Sequence, residues 1–239
     1  MQLKLWQPLQ LEEPGNCPYL PGRTKRFEYF LATEVGSAEL SLLLAQGWRK
    51  FGPYFFRPRC PGCCQCIPLR VKVQEFAPSR SQRRGLRKGA SLDVRFGPLQ
   101  PSEEGFHIYR RHSLERFGQH STREDFLAAF YQPSCPALQI DILLQGKLLG
   151  LGFLDRGQDG LSSVYFCFDP GHEHLSPGTF SILMEIEQAA SLGLDWYYLG
   201  YYVPGCPRMS YKDRFLPREY FDWENRRWFD PDVERTLKG

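Results

Sequence analysis

The sequence predicts an α/β (α+β) fold, a mixed and largely antiparallel sheet with flanking helices, preceded by a smaller Cys-containing N-terminal domain. Three observations lead there. The second half reads as strand, strand, strand, helix, strand, with two-residue alternation giving way to helical spacing and then returning. Four of the eight cysteines, Cys60, Cys63, Cys64 and Cys66, crowd into seven positions of the first half. Between the halves, residues 97–104 (G-P-L-Q-P-S-E-E) hold two prolines and a glycine that interrupt both periodicities. That stretch divides the chain into a basic N-terminal domain, residues 1–98, and a C-terminal domain, residues 99–239, sizes that suit a chain of 239 residues.

Along the chain, residues 26–32 read as a strand, followed by a helix from the N-cap candidate Ser37 to the breaker Gly47. Residues 48–57 and 67–76 are extended, with the Cys cluster in their connection. Residues 80–88 form a short basic helix closed by Gly89, and 91–96 a strand ending at Gly97-Pro98. Beyond the linker, 103–117 is helical, and Ser121-Thr-Arg-Glu124 sets a capping box for a helix ending near Tyr131. Residues 138–145 and 147–155 form a hairpin turning at Gln145-Gly146, and 161–168 make a third strand rich in β-branched and aromatic residues. Residues 179–192 space Phe180, Leu183, Met184, Ile186 and Glu187 helically and stop at Gly193, after which 196–201 read as a buried strand. A short helix near Ser210 and a strand near Tyr220 close the series. This order suggests an acyltransferase layer of the N-acetyltransferase class.

Hydrophobic residues at 42% and charged residues at 24% exclude long disorder, collagen-like repeats and a heptad rod. The greasiest stretch, residues 137–154, is broken by Gln139, Asp141, Gln145 and Lys147, well short of the roughly 20 apolar residues a membrane span needs. Residues 1–10 lack a signal peptide's charged head and apolar middle, so a cytoplasmic location without a membrane partner is expected. The net charge of +3 hides an asymmetry: residues 49–95 hold twelve Lys/Arg against Glu75 and Asp93. Such a segment is an electrostatic footprint for a polyanion, of which nucleic acid is the commonest.

Three segments carry chemistry. Cys60-Pro-Gly-Cys63 spaces two thiolates across a turn, and Cys66 and Cys17 could complete a tetrahedral zinc or iron–sulfur site, against the alternative of free thiols in a reducing cytosol. Arg80, Arg83 and Arg84 fall on one helix face, a guanidinium cluster suited to phosphate or carboxylate, with Ser79 placed to cap the helix and help hold the anion. Val164-Tyr-Phe-Cys-Phe-Asp169 ends a strand on a carboxylate among aromatics, a setting that raises a carboxyl pKa, while Tyr197-Tyr-Leu-Gly-Tyr201-Tyr202 leads to Lys212 and Arg214 at the next strand's exit.

Cys17-Pro-Tyr-Leu-Pro-Gly-Arg23, Phe56-Arg-Pro-Arg-Cys60-Pro-Gly-Cys63, Pro78-Ser-Arg-Ser-Gln-Arg-Arg84, Gly178-Thr179 with Ile182-Leu183, and Tyr198-Leu-Gly-Tyr201 followed by Met209-Ser-Tyr-Lys212 stand in this order. Together they resemble the aminoacyl-tRNA protein transferases of the N-degron pathway, closest to the bacterial aspartate/glutamate leucyltransferases, relatives of the arginyl-tRNA protein transferases. Pro177, Phe180 and Cys64 depart from that family's usual residues. The resemblance implies transfer of leucine from leucyl-tRNA to the α-amine of proteins beginning with Asp or Glu, creating a degradation signal of the N-end rule pathway. It implies no required cofactor or energy source, tRNA rather than DNA as partner, and a structural zinc or iron–sulfur cluster on Cys17, Cys60, Cys63 and Cys66 as an open question. Within it, Asp169 and Tyr201 are the candidates to relay the acceptor's proton or meet the oxyanion. Arg80, Lys212 and Arg214 are those for the acidic side chain, and Arg83, Arg84, Arg87 and Lys88 for tRNA phosphates. Three alternatives remain: an arginine donor, a coenzyme A-dependent N-acetyltransferase, and a non-enzymatic RNA-binding protein. The stretch 172–179 bears no Lys or Arg to cradle a pyrophosphate, which disfavours coenzyme A.

Overall fold

The computed structural model describes residues 3–237. The chain begins with β1 (Leu3–Leu11), the two-residue pair β2 (Gly15–Asn16) and β3 (Thr24–Lys25), then β4 (Phe27–Val35), α1 (Ser37–Ala45) and the hairpin β5 (Arg49–Phe51) and β6 (Tyr54–Pro58). Strands β1, β4, β6 and β5 lie in that order as a four-stranded antiparallel sheet. Next come β7 (Ile67–Lys72), α2 (Arg80–Lys88), β8 (Leu92–Gly97), α3 (Glu103–Phe117), α4 (Arg123–Phe130), β9 (Ala137–Leu144), β10 (Lys147–Arg156) and β11 (Gly160–Phe168). The chain ends with α5 (Pro177–Ser191), β12 (Trp196–Tyr202), α6 (Pro207–Ser210), β13 (Arg218–Asp222), β14 (Arg227–Phe229) and α7 (Pro231–Leu237). Eight strands form the principal sheet in the order β14-β13-β7-β12-β11-β10-β9-β8, antiparallel throughout except between β11 and β12. This is the mixed, largely antiparallel layer with flanking helices that the element order predicts.

The two faces of this sheet are covered by different partners. Successive residues of a strand point to opposite sides. Tyr197 accordingly joins the core that α5 builds with Leu69, Val71, Leu183 and Ile186, while Tyr198 joins Phe30, Leu40, Trp48 and Phe55 beneath the small sheet. The β9–β10 hairpin turns through Gln145 (φ 52°) and Gly146 (φ 78°), the paired left-handed conformations that match strand twist. α2 docks on α5 where Gly89 meets the ring of Phe180.

Several expectations are shifted by the coordinates. The sheet crosses the 98/99 boundary, because β7 lies between β12 and β13 and β8 pairs with β9, so residues 67–97 are built into the layer made by the C-terminal half. The N-cap of α1 is Gly36 and no side chain caps it. The capping box of α4 belongs to Thr122 and Asp125, one position later than expected. The extended stretch from residue 67 stops at Lys72 and turns through a 3-10 segment, Val73–Glu75. β1 was not anticipated: Leu3, Leu5, Trp6, Leu9 and Leu11 are all exposed, so the strand is held by its ladder to β4 rather than by burial of its apolar residues.

A Cβ at Gly89 would stand 2.5 Å from two ring carbons of the buried Phe180. Gly89→Ala should therefore cost about 1–3 kcal/mol through displacement of that ring, read as a lowered urea midpoint at unchanged m-value.

Candidate functional site

β11 and β12 run parallel because α5 carries the chain from one to the other. Their pairing is short: Gly160, Leu161 and Ser162 face Trp196, Tyr197 and Tyr198, after which the strands part. Both are irregular at that point. In β11 the register with β10 jumps between Ser163 and Tyr165, leaving Val164 as the extra residue of a bulge, and β12 slips against β7 between Tyr198 and Gly200. A wedge opens between the diverging strands, with the carbonyls of Ser163 and Tyr198 turned into it.

Arg49, at the start of β5, fills the wedge. One guanidinium nitrogen donates to the Ser163 carbonyl and the other to that of Tyr198, at 3.4 Å. Lys212, from the 3-10 turn Tyr211–Arg214, comes in from the other side and donates Nζ to the Tyr201 carbonyl at 3.2 Å. The two cations meet over Gly200, whose φ is +92°; a Cβ there would lie 3.2 Å from Lys212 Nζ and 3.6 Å from Arg49 Nη2. Glycine thus allows both the conformation and the close approach. Burial first, and then the Arg49 guanidinium, push the Lys212 ammonium down to about 7, with the thiols of Cys66 and Cys206 acting weakly the other way. Among the described residues neither cation forms an ion pair. Asp155, the carboxylate that acts on Arg49 from a distance, is held by Lys50 at 3.0 Å.

On the α5 side of the same sheet, Glu185 is 1% exposed and accepts a 2.5 Å hydrogen bond from the Tyr197 hydroxyl, with further support from Ser163 and Ser181. Burial raises its carboxyl to about 7, the hydroxyl bonds opposing that rise.

The sequence-predicted residues divide. Lys212 is in the wedge. Tyr201 bonds to Lys212 through its backbone carbonyl, while its buried hydroxyl, close enough to Arg49 to interact electrostatically, donates to Gly47 O at 3.0 Å and Phe56 O at 3.4 Å. Asp169 is not brought to the pair. It lies seven residues beyond Ser162, whereas Tyr201 lies three beyond Tyr198, so it is about 13 Å further along a diverging strand at roughly 3.3 Å per residue. There it pairs with Arg111 at 2.9 Å and approaches His172. Arg80 and Arg214 are exposed and do not join the Lys212–Arg49 contact, although Gln82 on α2 donates to the Arg214 carbonyl at 3.1 Å and ties the two elements together.

α2 forms as predicted, and Ser79 caps it, but in a reciprocal box with Gln82 that spends the hydroxyl on the helix rather than on an anion. Arg80, Arg83, Arg84, Arg87 and Lys88 are all exposed. Elsewhere the basic segment turns inward: Lys50 pairs with Asp155, Arg57 with Glu28, and Arg70 with Glu219 between the rings of Trp196 and Trp228. The exposed positive charge of the segment is therefore densest on α2, with Arg59 and Arg95 exposed beyond it.

Cys17, Cys60, Cys63 and Cys66 are neighbours. Burial and then the Cys60, Cys17 and Cys63 thiols push the Cys66 thiol up to about 12, while Cys17 and Cys60 each accept a backbone N–H at 3.4 Å. Among the described residues no three His, Cys, Asp or Glu side chains stand in a metal-holding arrangement. A surface depression is lined by Glu75, Asp230, Asp232 and Leu216, with Asp232 paired to Arg218 at 2.6 Å and Asp230 3.9 Å from Lys72.

Residues 15–84 match the family model described as arginine-tRNA-protein transferase, N terminus, and residues 104–222 match its C-terminus counterpart. The chain belongs to that family. It is 36% identical over 211 residues to the aspartate/glutamate leucyltransferase of Marinobacter nauticus, covering 86% of this chain and 89% of the relative. The namesake from Halorhodospira halophila is 37% identical over 217 residues, at 87% and 91% coverage. Membership makes the chain an aminoacyltransferase. The crystal structure of FemX matches over 99% of this chain and 91% of that one, with a TM-score of 0.50 at 8% identity, a likeness of fold alone. Among the described residues no helix is long and apolar enough to cross a membrane.

Arg49 and Glu185 were missed by sequence reasoning. Nothing local separates Arg49 from the other basic residues of its segment. Glu185 did carry a signal, a carboxylate three residues after Ile182 and four before Ala189 on the buried face of an apolar helix.

Because the folded Glu185 carboxyl titrates near 7 and an unfolded one near 4.5, the native state holds a proton that the unfolded state has lost between those values. Stability from this group therefore falls as pH rises from about 4.5 to 7, by on the order of 3 kcal/mol. Glu185→Gln should flatten that slope in urea titrations run from pH 5 to 8.

Proposed function

We propose that this chain transfers leucine from leucyl-tRNA to the α-amino group of proteins beginning with Asp or Glu, giving them an N-terminal degradation signal. The observation that carries the reading is Lys212: a partly buried ammonium that has no counter-ion among the described residues, held at the mouth of a strand wedge. A desolvated, unpaired cation is costly unless a carboxylate completes it, and an acidic first residue supplies one. The names of the similar leucyltransferases support the same acceptor and donor.

The ester of an aminoacyl-tRNA is already activated, so the work is chiefly alignment of an uncharged amine with its carbonyl. The acceptor ammonium gives its proton to water. Its nitrogen then attacks the leucyl carbonyl, the new C–N bond forms, and the ester C–O bond breaks. The terminal ribose oxygen of the tRNA leaves and takes a proton. Lys212 anchors the acceptor side chain and so fixes the nitrogen, while the Tyr201 carbonyl fixes Lys212. The exposed basic face of α2, with Arg83, Arg84, Arg87 and Lys88, suits the phosphates of the acceptor stem. Leucine is favoured over arginine because the buried carboxylates near the wedge are occupied, Asp155 by Lys50 and Glu185 by hydroxyl groups. Charged tRNA places this activity in the cytoplasm.

Incubating the purified protein with charged leucyl-tRNA or arginyl-tRNA and peptides beginning with Asp, Glu or Ala tests donor and acceptor together; product with Asp and Glu from leucyl-tRNA is expected, and equal product with Ala would sink the reading. Lys212 is cationic below about pH 7 and neutral above it, so KM for Glu peptides should climb as pH rises from 6.5 to 8.5. Lys212→Met should raise that KM at least tenfold and leave leucyl-tRNA affinity within about twofold. Replacing Arg83, Arg84, Arg87 and Lys88 by Gln should weaken tRNA binding and reduce the slope of log affinity against log salt, with acceptor KM little changed.

A further inference from the structure

The wedge holds more positive charge than Lys212 alone provides. The Arg49 guanidinium lies beside Lys212 over Gly200, its two known bonds go to backbone carbonyls, and among the described residues it has no carboxylate partner. Two carbonyls satisfy part of a group with five N–H donors and leave its charge uncompensated. The nearby Asp155 is spent on Lys50, and the surrounding groups on the other elements are Cys206, the Cys66 thiol and the phenols of Tyr197, Tyr198 and Tyr201, the last four held in their neutral forms by burial. Two cations held together in a low-dielectric crevice repel each other, an arrangement that costs stability and that one shared carboxylate would relieve.

We propose that Arg49 is a specificity-determining residue, forming with Lys212 a two-pronged seat for the side-chain carboxylate of the acceptor's first residue. The inference rests on the reading of the chain as a transferase for acidic N-termini. It adds a division of labour. Arg49 comes from the small N-terminal sheet and Lys212 from the turn after β12, so the seat is complete only where the two halves of the chain meet. Arg49 supplies a cation at every working pH, and Lys212 one that fades as pH rises.

The test compares kcat/KM for two peptides that differ only in their first residue, Glu or Gln, so that charge is isolated from shape. The wild-type enzyme should favour Glu strongly at pH 6.5. In Arg49→Gln, which can still donate to a carbonyl, Tm should fall because one of the two carbonyl bonds is lost, while in the folded variant the Glu-over-Gln ratio should fall at least tenfold and leucyl-tRNA affinity stay near wild type. A ratio that stays at the wild-type value in the folded variant overturns the inference. Should Arg49→Gln fail to fold, the wild-type enzyme decides: at pH 9, where Lys212 is neutral in the free enzyme, a residual preference of about fivefold or more is expected from Arg49, and a ratio of one overturns it. A wild-type enzyme indifferent to Glu and Gln at pH 6.5 overturns the functional reading itself, and this inference with it.

Discussion

The separation of β11 from β12 governs what the molecule can do. Two parallel strands that pair through three residues and then diverge leave carbonyls without strand partners, and a buried carbonyl must find a donor. Here the donor is the Arg49 guanidinium, delivered by a strand of another sheet. The same contact that closes the hydrogen-bond deficit of the opened sheet also docks the small sheet on the large one and places a permanent cation beside Lys212. Fold integrity and site electrostatics share one side chain.

Around that contact, the chain's basic residues serve two different physical ends. Lys50, Arg57 and Arg70 are turned inward and paired with Asp155, Glu28 and Glu219, where they hold strands and sheets together. The α2 cations stay in solvent, where their field is long-ranged and sensitive to salt. A neighbouring sequence position is no guide to which end a given residue serves: Arg49 and Lys50 are adjacent, yet one is left with charge to offer and the other is neutralised.

Much of the fold was legible because local rules decide it. α2, α3 and the β9–β10 hairpin fall where helical spacing, Gly breakers and the Gln145-Gly146 turn place them. The failures are those of information that is not local. β1 escapes although Leu3, Leu5, Leu9 and Leu11 recur at strand spacing, because Trp6 and Pro8 interrupt the alternation and the leucines are exposed rather than buried. The domain boundary at 98/99 follows a real break in periodicity, but strand pairing ignores it. Lys212 was picked out from its motif, whereas the contact of Tyr201 with Lys212 is made by its carbonyl rather than its phenol, beside a register slip at Gly200 that sequence spacing does not reveal. Asp169 looked desolvated among aromatics; Arg111, from a helix some sixty residues earlier, is what actually faces it.

The threading of β7 between β12 and β13 reaches furthest. A strand from the first third of the chain is an interior member of the sheet made by the last third, with neighbours on both sides. The portion after the linker, expressed by itself, would present two raw strand edges where β7 belongs, an invitation to self-association rather than a smaller enzyme. The two halves are thus interdependent by construction: neither can be exchanged, trimmed or inherited separately without reopening the middle of the sheet.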